Sequence, residues 1–239
     1  MAALLVFAIV CNYSQADVRP DHILKEKGAG LACYAGWAYC GPERDGTMND
    51  HRSDKSPRPA VFLDRDGTII EDRGDLARPS QVAFFADTFP ALKRLNRFFE
   101  LFIVTNQSGV SKGAMTIEDV KRVNTRVVSE LARFDIRIRE TYVCPHKRDD
   151  GCRCIKPKPY FLRKAETDHG IDLTRSFAIG DHPHDVTFAE NVGAKGIYVL
   201  SGHGEKHRDE LSGDVVVVGG IREAADHILG PDGRESPNT

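Results

Sequence analysis

Chemistry in this chain starts at Val61-Phe62-Leu63-Asp64-Arg65-Asp66-Gly67-Thr68, where three apolar residues run into two carboxylates one residue apart. In an extended chain alternate side chains share a face, so Asp64 and Asp66 can lie on one side while Arg65 points away. Crowded carboxylates repel, and a divalent cation is the usual remedy. Three further polar clusters follow along the chain. Thr105-Asn106 offers a hydroxyl and an amide suited to phosphate oxygens, or to a turn. Lys156, in Ile155-Lys156-Pro157-Lys158-Pro159, supplies a positive charge on a backbone that the prolines restrict. Gly180-Asp181-His182-Pro183-His184-Asp185 brings Asp181, which can meet Asp64 around one metal ion, and Asp185, a first-turn acid for the helix that follows.

Of the six cysteines, Cys144, Cys152 and Cys154 fall together with His146 inside eleven residues, whereas Cys11, Cys33 and Cys40 are scattered. Three thiolates and one imidazole complete a tetrahedral Zn2+ shell with no position left for water, and a closed shell is a structural one. Zinc would knot this loop and carry Lys156 into place just after the last ligand. Clustered thiols of this kind suit a reducing, cytoplasmic setting better than a disulfide framework. His182, His184, His203 and His207 read as exposed loop histidines.

The elements that must position these groups can be read from periodicity. Residues 61–63 form a strand and residues 68–79 a polar, turn-rich flap rather than a core element. A helix follows over residues 89–99, with Leu92, Leu95, Phe98 and Phe99 as its apolar stripe, then a strand over 101–104. Thr116 caps a helix over 117–134 that turns Val120, Val123, Val127 and Leu131 to one side. Strands over 139–144, 176–179, 196–200 and 215–218 alternate with helices over 160–169, 185–192 and 221–229. Such alternation predicts an α/β fold, a Rossmann-like doubly wound parallel sheet with helices on both faces. Only about forty residues separate Asp64 from Thr105, and a loop, a helix and a strand fill them, so no large cap domain fits and the site should be open.

The 239 residues, 41% apolar and 28% charged, are those of a soluble globular chain long enough to bury a core. A formal net charge of -2 leaves no footprint for nucleic acid or an anionic membrane. The apolar start at residues 1–10 lacks a positive n-region and is too short to span a bilayer. Residues 1–57 show no periodicity and read as a poorly ordered extension, residues 58–230 as the folded domain, and residues 231–239 as a disordered tail.

Taken in order, Asp64-Arg65-Asp66-Gly67-Thr68, Thr105, Lys156 and Gly180-Asp181 with Asp185 resemble the four motifs of the haloacid dehalogenase superfamily of phosphotransferases. The resemblance implies that Asp64 is a nucleophile forming an aspartyl-phosphate and that Asp66 is the general acid and base. It also implies that Thr105, Asn106 and Lys156 bind the phosphoryl group. Mg2+ would be held by Asp64, Asp181 and the Asp66 backbone carbonyl. Cys144-Pro145-His146 and Thr105-Asn106-Gln107-Ser108-Gly109 are similar to the branch that contains the heptose 1,7-bisphosphate phosphatases and the histidinol phosphatases. That branch implies a small phosphorylated metabolite as substrate; the chain is expected to be a monomer. The heptose enzymes usually place an arginine before the lysine to grip the far phosphate; here that position is Ile155, with Arg153 or Lys158 as candidate substitutes. A zinc-stabilised, catalytically inactive binding module is the reading from another class.

Overall fold

A computed structural model describes residues 37–39 and 56–230. Its strands are β1 (Trp37–Tyr39), β2 (Ala60–Leu63), β3 (Glu100–Asn106), β4 (Ile138–Cys144), β5 (Phe177–Gly180), β6 (Lys195–Val199) and β7 (Val216–Val218). They form one sheet in the order β1-β4-β3-β2-β5-β6-β7, and each neighbouring pair is parallel. The helices are α1 (Thr88–Leu95), α2 (Ile117–Ala132), α3 (Tyr160–His169), α4 (Pro183–Glu190), α5 (Gly204–His207) and α6 (Ile221–Leu229).

All four residues of β2 are buried, because helices cover the sheet on both sides. Val61 and Leu63 face one core with residues of α1, α2 and α6, while Ala60 and Phe62 face a second core with residues of α3 and α4. Full burial of Phe62 or Leu63 contributes roughly 2 kcal/mol each. Phe62 stacks on Phe102 of β3 at 5.1 Å between ring centroids, and Tyr142 of β4 stacks on Phe161 of α3 at 4.9 Å. The helix expected from Thr116 begins there: Thr116 Oγ1 accepts from Asp119 N at 3.1 Å and Asp119 Oδ2 accepts from Thr116 N at 2.8 Å.

Three expectations are corrected. The first helix ends at Leu95 rather than Phe99: Asn96 is its helical C-cap, with N–H donating to Leu92 O and side chain accepting from Arg137 N at 2.7 Å, and the next residues run on as a turn; Phe98, placed on the apolar stripe, is 36% exposed. The loop over residues 68–79 is not wholly peripheral, since Ile69, Ile70 and Leu76 are buried in the core beside α1. Within residues 1–57, Trp37–Tyr39 pairs with Thr141 to Val143 and adds an edge strand, as suits a β-forming tripeptide beside the open edge of β4. The rest of that extension up to residue 55, and the tail over 231–239, lie outside the described residues.

Strand order reverses at β2, whose neighbours β3 and β5 begin the two halves of the sheet. A crevice opens outside the carboxyl ends at such a point, and every catalytic candidate lies at one of those ends or on a loop reaching over it. No helix among the described residues is long and apolar enough to cross a membrane.

Candidate active site

Asp64 directly follows β2 and Asp181 directly follows β5, while Thr105 and Asn106 end β3. These four, with Asp66, Lys156 and Asp185, line one open cavity of about 220 Å3. Pockets that enclose a small molecule hold ~300 Å3 or more, so this one accommodates a phosphoryl group and leaves the remainder of a substrate among the loops. No domain covers it among the described residues.

Lys156 is 5% exposed and its ammonium contacts three oxygens: an Asp64 carboxylate oxygen, Asp185 Oδ1 at 2.6 Å and Val104 O at 3.0 Å. Burial alone would lower its pKa, but Asp185 and Asp64 outweigh burial and hold the ammonium charged. Asp185 has two duties, because its Oδ2 also accepts from His182 N at 3.2 Å as the N3 acid of the α4 capping box. The sequence reading of Asp185 as a helix-start acid is therefore correct and incomplete. Asn106 Oδ1 accepts from Lys156 N at 3.3 Å, tying the lysine backbone to the end of β3.

Arg65, expected to point away, is fully buried and turns back on its neighbour. Its Nη2 lies 2.8 Å from Asp66 Oδ2, its Nε 3.1 Å from the same oxygen, and its Nη1 donates to Asn124 Oδ1 of α2 at 2.6 Å. Gln107 Nε2 donates to Asp66 Oδ2 and to Thr105 Oγ1, both at 2.8 Å. Asp66 is thus fixed at the cavity mouth by partners that sequence reasoning missed, since nothing local marks a residue 41 positions away as its donor. Thr105 is buried against the same pair.

Asp181 sits in a cradle of backbone. Gly67 at φ +80° and Gly202 at φ +58° press against it, and a Cβ on either would meet Asp181 Oδ2 at 2.0 or 2.3 Å. His203 N donates to the same Oδ2 at 2.8 Å. Burial, then Asp185, push Asp181 up to about 6 against the hydrogen bond from His203. Burial also raises Asp64 well above the carboxylate range, with Lys156 opposing and Asp185, Asp181 and Asp66 adding to the rise. Five carboxylates line the cavity against two cations, Lys156 and Arg148, with Arg65 behind Asp66. That surplus of hard oxygen donors fits one Mg2+.

Cys144 at the end of β4 meets His146, Cys152 and Cys154. Its Sγ lies 3.6 Å from Cys152 Sγ and 3.2 Å from Cys154 Sγ, and His146 Nδ1 stands 3.8 and 3.4 Å from Cys144 and Cys154. Zn–S bonds of ~2.3 Å in a tetrahedron put sulfurs about 3.8 Å apart, so the four donors need little movement to close on a zinc ion. A hydrogen bond from Cys154 lowers the Cys144 thiol to about 6 despite burial, which favours the thiolate that a metal takes. Gln107 N bonds Cys144 O at 2.7 Å, so this knot is joined to the loop that holds Asp66.

Neither candidate for the missing arginine faces the cavity. Arg153 stacks on Tyr160 at 4.4 Å, Lys158 Nζ donates to Cys152 O at 2.5 Å, and Ile155 packs against the core under β4. Arg148, on the cysteine loop, lines the cavity instead and donates to His184 Nε2 at 3.0 Å. The histidines are not simple surface groups either: His182 and His184 are partly buried, stack at 4.4 Å and line the cavity. Burial first, then His184, lower His182 to about 4, and burial followed by Arg148 lowers His184.

A family model described as HAD-hydrolase-like matches residues 153–224. A probable D-glycero-D-manno-heptose-1,7-bisphosphate 7-phosphatase of Thermoplasma acidophilum is 35% identical over 142 residues, which cover 59% of this chain and 89% of that protein. The histidine biosynthesis bifunctional protein HisB of Campylobacter jejuni is 29% identical over 65% of this chain and 44% of its own. Among solved structures, D,D-heptose 1,7-bisphosphate phosphatase from B. bronchiseptica, complexed with magnesium and phosphate, matches at a TM-score of 0.67 and 26% identity, over 72% of this chain and 98% of its own.

Proposed function

The chain belongs to the haloacid dehalogenase-like phosphatase family that contains the heptose 1,7-bisphosphate 7-phosphatases, and from that membership we propose that it removes the 7-phosphate of D-glycero-D-manno-heptose 1,7-bisphosphate. The observation that carries the reading is the convergence of Asp64, Lys156 and Asp181 on one cavity at the switch point of the sheet. A binding module would have no use for a buried lysine held between two carboxylates at that place.

Asp64, Asp181 and the Asp66 backbone carbonyl would hold Mg2+, which when bound supplies positive charge that keeps Asp64 ionised and lets a phosphate dianion approach. Asp64 then attacks phosphorus through a carboxylate oxygen, and the bond from phosphorus to the sugar oxygen breaks. The carboxyl of Asp66, fixed by Arg65 and Gln107, gives its proton to that oxygen. Lys156, Thr105 and Asn106 meet the charge on the equatorial phosphoryl oxygens, the electrostatic part of the barrier reduction. Asp66, now a carboxylate, takes a proton from water, whose oxygen attacks phosphorus and frees Asp64 and inorganic phosphate.

Several supports bear on the rest of the reading. Arg148 supplies beside the cavity the cation that Ile155 does not, and it suits the substrate's second phosphate. The Cys144, His146, Cys152 and Cys154 set suits structural Zn2+ and, with its thiols, a reducing compartment such as the cytoplasm. The phosphatase domain in this reading is residues 58–230 with the edge strand Trp37–Tyr39 added, acting as a monomer.

Purified protein offered heptose bisphosphate and histidinol phosphate side by side, with and without Mg2+, tests the reading. The expected result is a higher kcat/KM on heptose bisphosphate and loss of turnover on chelation. A preference for histidinol phosphate would move the chain to the histidine-pathway reaction.

A further inference from the structure

Beyond the catalytic carboxylates, two loops bring a second set of donors together. His182 caps α4 after β5, His207 ends α5 after β6, and Glu210 lies in the short turn that follows. One ligand atom from each of the three falls within 4.8 Å of the other two. The rings of His182 and His207 are 4.6 Å apart between centroids, and His207 Nδ1 is 2.6 Å from Glu210 Oε1.

An ion pair between His207 and Glu210, three residues apart, occupies Nδ1 of His207, and the α4 cap occupies Nδ1 of His182, which accepts from His184 N at 3.3 Å, so each ring keeps its Nε2 for a metal. His182 arrives from another segment of the chain and turns toward the same point. Two imidazoles and one carboxylate are a donor set that binds zinc with a position left open, and imidazole nitrogen selects Zn2+ and other late first-row ions over Mg2+. The carboxylates around Asp64 have the opposite preference.

We propose that His182, His207 and Glu210 form a second transition-metal centre, binding Zn2+ at the rim of the catalytic cavity. His182 itself lines that cavity, so the centre borders the substrate. Three protein ligands leave a coordination position for water or for an anionic oxygen such as that of a phosphate. The closed Cys144 tetrad offers no such position, so the two zinc sites differ in kind. This assignment stands apart from the phosphatase reading, because it concerns metal content and not turnover.

The test is metal analysis of the full chain, purified without chelators and dialysed against metal-free buffer. Wild type is expected to retain about two zinc ions per chain, and Glu210→Gln and His207→Ala about one each. Cys152→Ser should lose the other ion. Replacement by Co2+ gives a second reading: the tetrad shows thiolate-to-metal charge-transfer bands, while the proposed centre adds only weak ligand-field bands that Glu210→Gln removes. Glu210 is 57% exposed, so its replacement by an isostere leaves the fold intact even if His207→Ala does not fold. One zinc ion in the wild type, or variants with as much zinc as the wild type, overturns the proposal. Failure of the phosphatase reading would appear in substrate assays and leave these counts unchanged.

Discussion

Lys156 Nζ lies 2.6 Å from Asp185 Oδ1, which anchors the residue two places beyond the last tetrad cysteine on the first turn of α4. An ammonium at this depth is tolerable only because carboxylates of two different elements surround it. The loop from β4 is therefore bound at one end by its cysteine knot and at the other by this pair.

Asp185→Asn keeps a hydrogen-bond acceptor and removes the charge. It should lower the melting temperature, by up to about 3 kcal/mol in stability, and reduce kcat about 100-fold with a smaller change in KM. Lys156→Ala should cost ~10²–10³ in kcat and leave zinc content unchanged. Steady-state kinetics and thermal melts check both, and near-normal kcat in Lys156→Ala would remove this lysine from phosphoryl transfer.

Cys152→Ser opens the tetrad. Its ion should be lost, the melting temperature should fall, and activity should fall with it because the loop carrying Lys156 and Arg148 is no longer knotted. Zinc analysis with calorimetric melting measures this; a variant with full stability and activity would mean that the thiols hold no structural ion.

These consequences rest on features that differ in how far the chain itself announced them. The alternation of strands and helices, the Thr116 cap and the catalytic strand were readable because each depends on neighbours within a few residues. The cysteine tetrad was readable too, since all its donors are close in sequence. The role of Arg65 was not, because its buried partner Asn124 is 59 residues away and alternation alone pointed it outward. Phe98 failed for the reverse reason: its spacing fits the helix, but the helix stops at Leu95 with Asn96 as its C-cap, whose side chain is tied to Arg137, a residue 41 positions away. Arg148 was not readable because only the folded loop brings it to the cavity, beside His184.

Arg148→Ala should raise KM for heptose bisphosphate about tenfold or more, as for loss of one charge-assisted hydrogen bond, and leave hydrolysis of a simple aryl phosphate within about twofold. Comparing the two substrates on one variant separates grip on a second phosphate from general damage. Equal effects on both would contradict the assignment.

Asp181 provides a pH dependence. Its pKa is raised to about 6 in the metal-free protein, so the bound proton favours the folded state below the ordinary carboxylate range, and this contribution is lost as pH rises through about 6. Mg2+ competes with that proton. Its affinity should fall by at least about tenfold per pH unit below about 6, because Asp64, also raised, takes a proton as well, and Asp181→Asn should bind weakly at every pH. Calorimetric titration between mildly acid and neutral pH reads this directly; a flat profile would exclude Asp181 as a ligand.

The central claim is that Asp64 carries the phosphoryl group between the two half-reactions. Rapid acid quenching during turnover of heptose bisphosphate, followed by peptide mass spectrometry, should find a phosphorylated peptide containing Asp64 that Asp64→Asn lacks. A phosphoryl group on any other residue, or turnover in Asp64→Asn at a near-normal rate, would contradict it.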